Sequence, residues 1–296
     1  MEIADRRKID YETVRCPFCD SEKASLKRKV FSEVNRSEYK HYSCTVCGIE
    51  FFTPLVFENV YDTEVIAAYK DFHEGRSEYP DWTKTIVKFF DEKNIDLNEK
   101  KILEIGPGDG INFLALREKF KINAEDYFGV ELDKKSIEVC KARGIMNVID
   151  DYFDDRILKK IEQQFDIIII AEVLEHQIRP GNFIKTAFQL LKQGGTMVVT
   201  VPNKKRFFLK HREYGDIPPH HFLRFDKDFF LKNYGKDIVY LNDYSFRNKS
   251  VRESGRALSM AALGNENYWI LFVPVVLMLR VLDSICGEGI IAIIRK

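Results

Sequence analysis

Three groups of side chains have types and spacings suited to chemistry. Cys16-Pro17-Phe18-Cys19 and Cys44-Thr45-Val46-Cys47-Gly48 are two C-x-x-C pairs with 24 residues between them. Two residues between ligands let one tight turn aim both sulfurs at one metal, and four thiolates satisfy tetrahedral zinc. With all four positions taken by cysteine the site is closed, so a metal there is structural rather than catalytic. The second group is a glycine turn, Gly106-Pro107-Gly108-Asp109-Gly110, with Glu131 lying 21 residues beyond Gly110. The third is Glu172, Glu175 and His176 at i, i+3 and i+4, with His220 and His221 downstream. One helical turn would put the first three on one side. Three roles stay open for them. They shape a cofactor pocket; or Glu172 and Glu175 with two imidazoles, His176 and one of the downstream pair, hold a divalent ion such as magnesium or manganese; or His176 or His221 takes a proton. Tyr214, His220 and His221 are the candidates on the acceptor side.

The elements that must position these groups follow from the hydrophobic pattern. The spacer between the cysteine pairs alternates at residues 26–31 and 39–43, as a β-hairpin does, so residues 1–58 read as a zinc-ribbon-like module. Residues 59–84 read as a connecting arm that covers the mouth of the next domain, and residues 85–296 as one α/β domain. Within it, residues 85–93 read as a helix, 101–105 as a strand, and 126–131 as a second strand followed by a helix over 134–143. Residues 146–149 follow as a third strand. Residues 165–171 (FDIIIIA) are nearly all apolar, as a central parallel strand covered on both faces must be. A helix over 183–191, stopped by Gly194 and Gly195, leads to a strand over 196–201. Strands alternating with helices imply a doubly wound, Rossmann-like parallel sheet.

The glycine turn follows a strand, and its glycines let backbone amides approach a ligand closely. Glu131 at the end of the next strand can accept hydrogen bonds from both hydroxyls of a ribose. Glu104, just before the turn, would repel a pyrophosphate but attract an ammonium group. The spacing is G-x-G-x-G rather than the dinucleotide G-x-G-x-x-G. Both features favour S-adenosylmethionine (SAM) over NAD.

Here the chain resembles a known family. Leu103 to Gly110, Gly129 to Asp133, Phe165-Asp166 with Glu172 to His176, Leu190 to Gly195, and Val201-Pro202-Asn203 are similar, in order, to the motifs of class I SAM-dependent methyltransferases. The resemblance implies a seven-stranded sheet whose antiparallel last strand is residues 289–295. It implies that Glu104, Gly106, Gly108 and Gly110 hold the methionine end of SAM, Glu131 the ribose and Leu132 the adenine. Asp151 (or Asp150) and Tyr152 would lie near the adenine edge, with Glu172 and Val173 beside the cofactor. The pairing with a zinc ribbon resembles methyltransferases of sugars and surface polysaccharides, and similar E-x-x-E-H motifs occur in ubiquinone-pathway and small-RNA methyltransferases; the latter resemblance implies that His221 is the later histidine that joins Glu172, Glu175 and His176 at a metal.

Composition bounds the partners. The 296 residues carry 46 basic and 46 acidic side chains, a balance that disfavours a dedicated nucleic-acid binder. The polar N-terminus has no signal-peptide core, so a reducing cytoplasm is expected. Lys204, Lys205, Arg206, Lys210 and Arg212 cluster, either as a solvated face or as a site for a phosphorylated acceptor. Residues 268–279 (YWILFVPVVLML) are too short to span a membrane and read as buried core or, alternatively, as an interfacial contact. The reading is a methyltransferase acting on an oxygen of a small molecule or sugar. Its rivals are an RNA 2′-O-methyltransferase and a non-catalytic interaction protein.

Overall fold

The computed structural model describes residues 14–56, 73–76, 78–206, 216–244, 251–278 and 287–296, apart from the side chains of 253, 254, 257 and 261. Tyr214, Lys210 and Arg212 lie outside the described residues.

The N-terminal cysteines sit on a small antiparallel sheet. β1 (Ala24–Ser32), β2 (Ser37–Cys44) and β3 (Glu50–Thr53) form a meander, as the alternation predicts. The α/β domain opens with α1 (Asp81–Glu92), which packs Ile86, Phe89 and Phe90 inward. Its strands are β4 (Ile102–Ile105), β5 (Tyr127–Glu131), β6 (Asn147–Asp150), β7 (Phe165–Ala171) and β8 (Leu191–Pro202), followed later by β10 (Ile238–Tyr244) and β11 (Gly289–Arg295). Helices α2 (Ile111–Phe120), α3 (Lys134–Ala142) and α4 (Pro180–Leu190) connect the parallel strands, and α5 (Lys227–Tyr234) precedes β10. The seven-stranded sheet has the order β10-β11-β8-β7-β4-β5-β6, with β11 antiparallel to both its neighbours. β4 lies between β5 and β7, so the chain reverses direction of winding there. Ligands bind at the carboxyl ends of strands flanking such a switch point.

Period-2 alternation sorts the sheet onto two faces. Leu103, Ile105, Ile168, Ile170, Val199 and Val201 face one core, and Ile102, Ile167, Ile169 and Val198 face the other with α1 and α2. The first core runs without a break into the cysteine module through Phe51, Phe52, Ile49 and Leu55. A two-residue strand, β9 (Leu223–Arg224), makes this junction. It pairs antiparallel with β3, and Phe225 bridges to Asn203 at the end of β8. The four-stranded sheet β1-β2-β3-β9 therefore takes its last strand from the far side of the chain.

Two expectations change, and one strand is new. The helix expected to stop at Gly194-Gly195 ends at Leu190, and β8 starts at the next residue with both glycines inside it. The strand β10, whose residues are mostly half-buried, escaped the hydrophobic pattern. The apolar run at 268–279 is not core. In its described part only Val276 is buried, while Ile270 and Leu271 are 65% and 68% exposed. It forms a helical pair with α6 (Val251–Leu263) on the surface. No helix of the described residues is long and apolar enough to cross a membrane.

The first cysteine knuckle is seated on α4 at Gly181. A Cβ built there would lie 2.1 Å from the Phe18 carbonyl oxygen. Gly181→Ala is expected to cost roughly 1–3 kcal/mol as overpacking. Denaturant unfolding of that variant checks it, and unchanged stability would mean the knuckle does not rest on α4.

Candidate functional site

The glycine turn closes β4. Gly106, Gly108 and Gly110 have φ of 71°, 56° and 72°, a left-handed backbone that disfavours side chains. A Cβ on Gly106 would lie 2.7 Å from Val173 Cγ2. Val173 at the end of β7 thus presses on the turn, and the two loops of the switch point touch.

Glu131 ends β5 and is 6% exposed. Its carboxylate accepts from three backbone amides: Gly108 at 3.0 Å, Leu132 at 2.8 Å and Asp133 at 3.0 Å. Burial raises its pKa, and these amides oppose the rise. The acid is fixed against the glycine turn before any ligand arrives, which is the arrangement a ribose needs. Glu104 lies lower than its sequence suggested. Its two oxygens accept from Asn112 Nδ2 at 2.6 Å and from the Tyr127 hydroxyl at 2.5 Å, beneath the turn. In this position it supports the turn from below rather than presenting a free carboxylate to an ammonium. Asp151 pairs with Lys160, and the Tyr152 hydroxyl donates to Gln177 Oε1 at 2.8 Å. Tyr152 therefore ties the loop after β6 to the segment after His176. Asp150 is exposed at the strand end.

The third group is assembled differently from the expected single helical turn. Glu172 has φ of 54° and lies outside the short 3₁₀ segment Leu174–His176. Its carboxylate accepts from the Tyr244 hydroxyl at 2.7 Å, a partner from β10 that the sequence did not reveal. Glu175, His176 and His221 do converge, with one ligand atom from each lying within 4.8 Å of the others. Both imidazole Nε2 atoms are 3.9 Å from Glu175 Oε1. His176 Nδ1 is 2.6 Å from the His220 carbonyl. A carbonyl only accepts, so Nδ1 carries the proton and Nε2 keeps its lone pair. His221 Nδ1 lies 3.7 Å from Asp216, which Arg206 also holds. Glu175 is 1% exposed, and its Oε2 has no hydrogen-bond partner among the described residues. A buried carboxylate oxygen left unpaired is costly unless something else meets it. Burial drives the pKa of both His176 and His221 down to about 3 and raises that of Glu175.

The four cysteines also converge. Cys16 and Cys47 sulfurs are 3.5 Å apart and Cys19 and Cys44 sulfurs 3.7 Å. Tetrahedral zinc with Zn–S near 2.3 Å separates its sulfurs by about 3.8 Å, whereas a disulfide needs about 2.05 Å. All four are free thiols, and the hydrogen bond from Cys47 pulls the Cys16 pKa down to about 6. The donor set fits zinc. The knuckles are held by the other half of the chain: Lys204 Nζ donates to the Gly48 carbonyl at 3.1 Å, and Asn233 Nδ2 to the Cys47 carbonyl at 2.9 Å.

The basic cluster does not offer free cations among its described members. Lys204 and Lys205 pair with Asp226 at 3.1 and 3.3 Å, and Arg206 pairs with Asp216.

A seven-stranded sheet with an antiparallel last strand, a glycine turn on β4 and an acid closing β5 defines a SAM-dependent methyltransferase. A family profile described as a methyltransferase domain matches residues 72–237, more than half of the chain, and the chain belongs to that family. It is 33% identical over 116 residues to the ubiquinone biosynthesis O-methyltransferase of Coxiella burnetii, and 32% over 125 residues to that of Pelagibacter ubique. These alignments cover 38% and 41% of this chain and 48% and 50% of the relatives, so the chain spans about half the length of the curated relatives it matches. A SAM-dependent methyltransferase from Archaeoglobus fulgidus shares the fold at a TM-score of 0.50 and 15% identity, with 77% of this chain and 98% of that one covered. The plantazolicin methyltransferase BamL, solved with SAH, also does so at 0.50 and 14%, covering 80% and 93%.

The Glu104 carboxyl gives a pH test. Burial, the largest cause, pushes its pKa up from 4.5 to about 7. The folded state then holds a proton that the unfolded chain releases earlier. The resulting stabilisation is fully present below pH 4.5 and is lost as pH rises through 7, a change of about 3 kcal/mol. Glu104→Gln should flatten the stability slope across that window in urea unfolding. Equal slopes in parent and variant would contradict the burial argument.

Proposed function

We propose that this methyltransferase transfers a methyl group to an oxygen of a small-molecule acceptor held at Glu175, His176 and His221. The observation that carries the reading is the convergence of these three donors around a buried carboxylate oxygen that is unpaired among the described residues, two residues along the chain from Val173, whose side chain meets Gly106 of the glycine turn. The names of the O-methyltransferase relatives support an oxygen acceptor. The basic cluster gives a phosphorylated or nucleotide-sugar acceptor less support than the sequence did, because its described members are neutralised by acids.

SAM, when bound, supplies a methyl already activated on a sulfonium. Glu131 and the glycine turn hold its ribose and backbone-facing edge. The chain must then align the acceptor and manage one proton. Imidazoles with pKa values near 3 are neutral at physiological pH, the state in which they ligate metals. A base that weak is poorly matched to a hydroxyl proton. Glu175, His176 and His221 would hold magnesium or manganese, which supplies Lewis acidity towards a hydroxyl. The His220 carbonyl and Asp216 orient the two rings, as partners behind metal-binding histidines do. Zinc at Cys16, Cys19, Cys44 and Cys47 is structural in this reading.

Incubation with SAM and a metabolite extract, read by mass spectrometry, should identify a methylated product. With that acceptor, His221→Ala should lower turnover by at least about tenfold while SAM affinity stays near that of the parent. Chelation by EDTA should stop turnover, and added manganese should restore it. Full activity in EDTA with the cysteine module intact would remove the metal. A pH profile whose limb disappears in His176→Ala would install a general base instead.

A further inference from the structure

The residues just before α1 make contacts that the reaction so far does not use. Arg76 clasps Asp109, the acid inside the glycine turn, with three bonds: its backbone amide and Nε to Oδ2, both 3.0 Å, and Nη2 to Oδ1 at 2.7 Å. Asp109 is fully buried and Arg76 is half-buried, and the three bonds fix the pair's geometry. Three residues earlier, His73 Nε2 meets Asp133 Oδ2 at 2.9 Å. Asp133 caps α3 immediately after Glu131 and Leu132, which the proposed SAM site assigns to the ribose and adenine. Arg143 at the end of α3 closes the other side. It donates to the Arg76 carbonyl at 2.7 Å, approaches Asp109 at 3.5 Å and packs on Gly75.

Residues 73–76 thus bridge the two loops that cradle SAM, fastened at one end to the glycine turn and at the other to the loop after β5. Among the described residues the turn and the end of β5 also meet through two backbone amides, Gly108 N–H to Glu131 at 3.0 Å and Gly106 N–H to the Val130 carbonyl at 2.9 Å. Whatever lies in the cradle is enclosed by loops whose separation the bridge sets. The charges that fasten it are side chains of the loops themselves.

We propose that residues 73–76 are a strap that fixes the cofactor cradle and sets how long the cofactor stays, with Arg76 as its positioning residue. The strap must loosen for SAH to leave and SAM to enter. Arg76 suits this because its planar fork holds Asp109 at two atoms, a grip that lysine cannot reproduce. The proposal rests on the SAM site being at the glycine turn, and it separates from it in one measurement.

The chain contains two tryptophans, and the Arg76 guanidinium lies 5.4 Å from the ring centroid of Trp82. In a Trp269→Phe background, Trp82 alone reports on the strap. Stopped-flow release of SAH from the full-length protein should speed up by about tenfold in Arg76→Lys, the loss expected when a bidentate buried pair becomes a point contact. His73→Gln should accelerate release less, in the same direction. Should Arg76→Lys fail to fold, the double variant Arg76→Ala/Asp109→Asn removes the stranded buried charge and carries the same expectation. A purely structural strap predicts lower thermal stability with SAH release unchanged, and that result overturns the proposal. No SAH binding to the parent protein would instead overturn the site reading on which the strap depends.

Discussion

Much of this molecule depends on how one residue, Phe222, spends its two backbone groups. Its carbonyl accepts from the Phe52 amide of β3 at 2.9 Å, and its own amide donates to the Glu175 carbonyl at 3.1 Å. An edge strand buried against another module would leave unpaired amides and carbonyls, at a cost of roughly 1–3 kcal/mol for each group. The chain meets this by returning after β8 to supply β9. The strand that completes the cysteine module is therefore continuous with the His220-His221 turn and bonded to Glu175. The cysteine module is joined to the Glu175-His176-His221 group rather than appended to the domain, and the shared apolar core through Phe51, Phe52, Leu223 and Phe225 says the same.

The cofactor side is built by a different device. Glu104, Asp109 and Glu131 are all buried around one turn, and each is matched by a separate set of donors: Asn112 and Tyr127, Arg76 with Arg143, and three backbone amides. Three buried carboxylates so close together repel one another and would be protonated or expelled without those donors. The arrangement fixes the backbone of the turn from three sides, through Asn112 and Tyr127 below it, Arg76 and Arg143 on Asp109, and the Gly108 amide on Glu131. The contact between Gly106 and Val173 then brings this region against the acceptor side across the switch between β4 and β7.

What the sequence disclosed were features fixed by short spacing. The C-x-x-C pairs, the glycine turn, Glu131 and the succession of strands are local, and their geometry follows from turns of a few residues. Partners distant in the chain were invisible. Arg76 with Asp109, Tyr244 with Glu172 and β9 with β3 each join segments whose pairing leaves no periodic trace. Glu172 misled because i, i+3 spacing has meaning only inside a helix, and its backbone is left-handed. Hydropathy likewise reports a preference for burial rather than burial itself, which is why residues 268–278 read as core and lie on the surface.

The central claim is that the cysteine module braces the Glu175-His176-His221 group and not the glycine turn. Amide hydrogen exchange with and without zinc supplied to Cys16, Cys19, Cys44 and Cys47 tests it directly. The account predicts faster exchange at 172–177 and 220–226 as well as in the knuckles, with the β4 strand and glycine turn still protected. Faster exchange confined to residues 14–56 would show that the module stands alone and contradict the account.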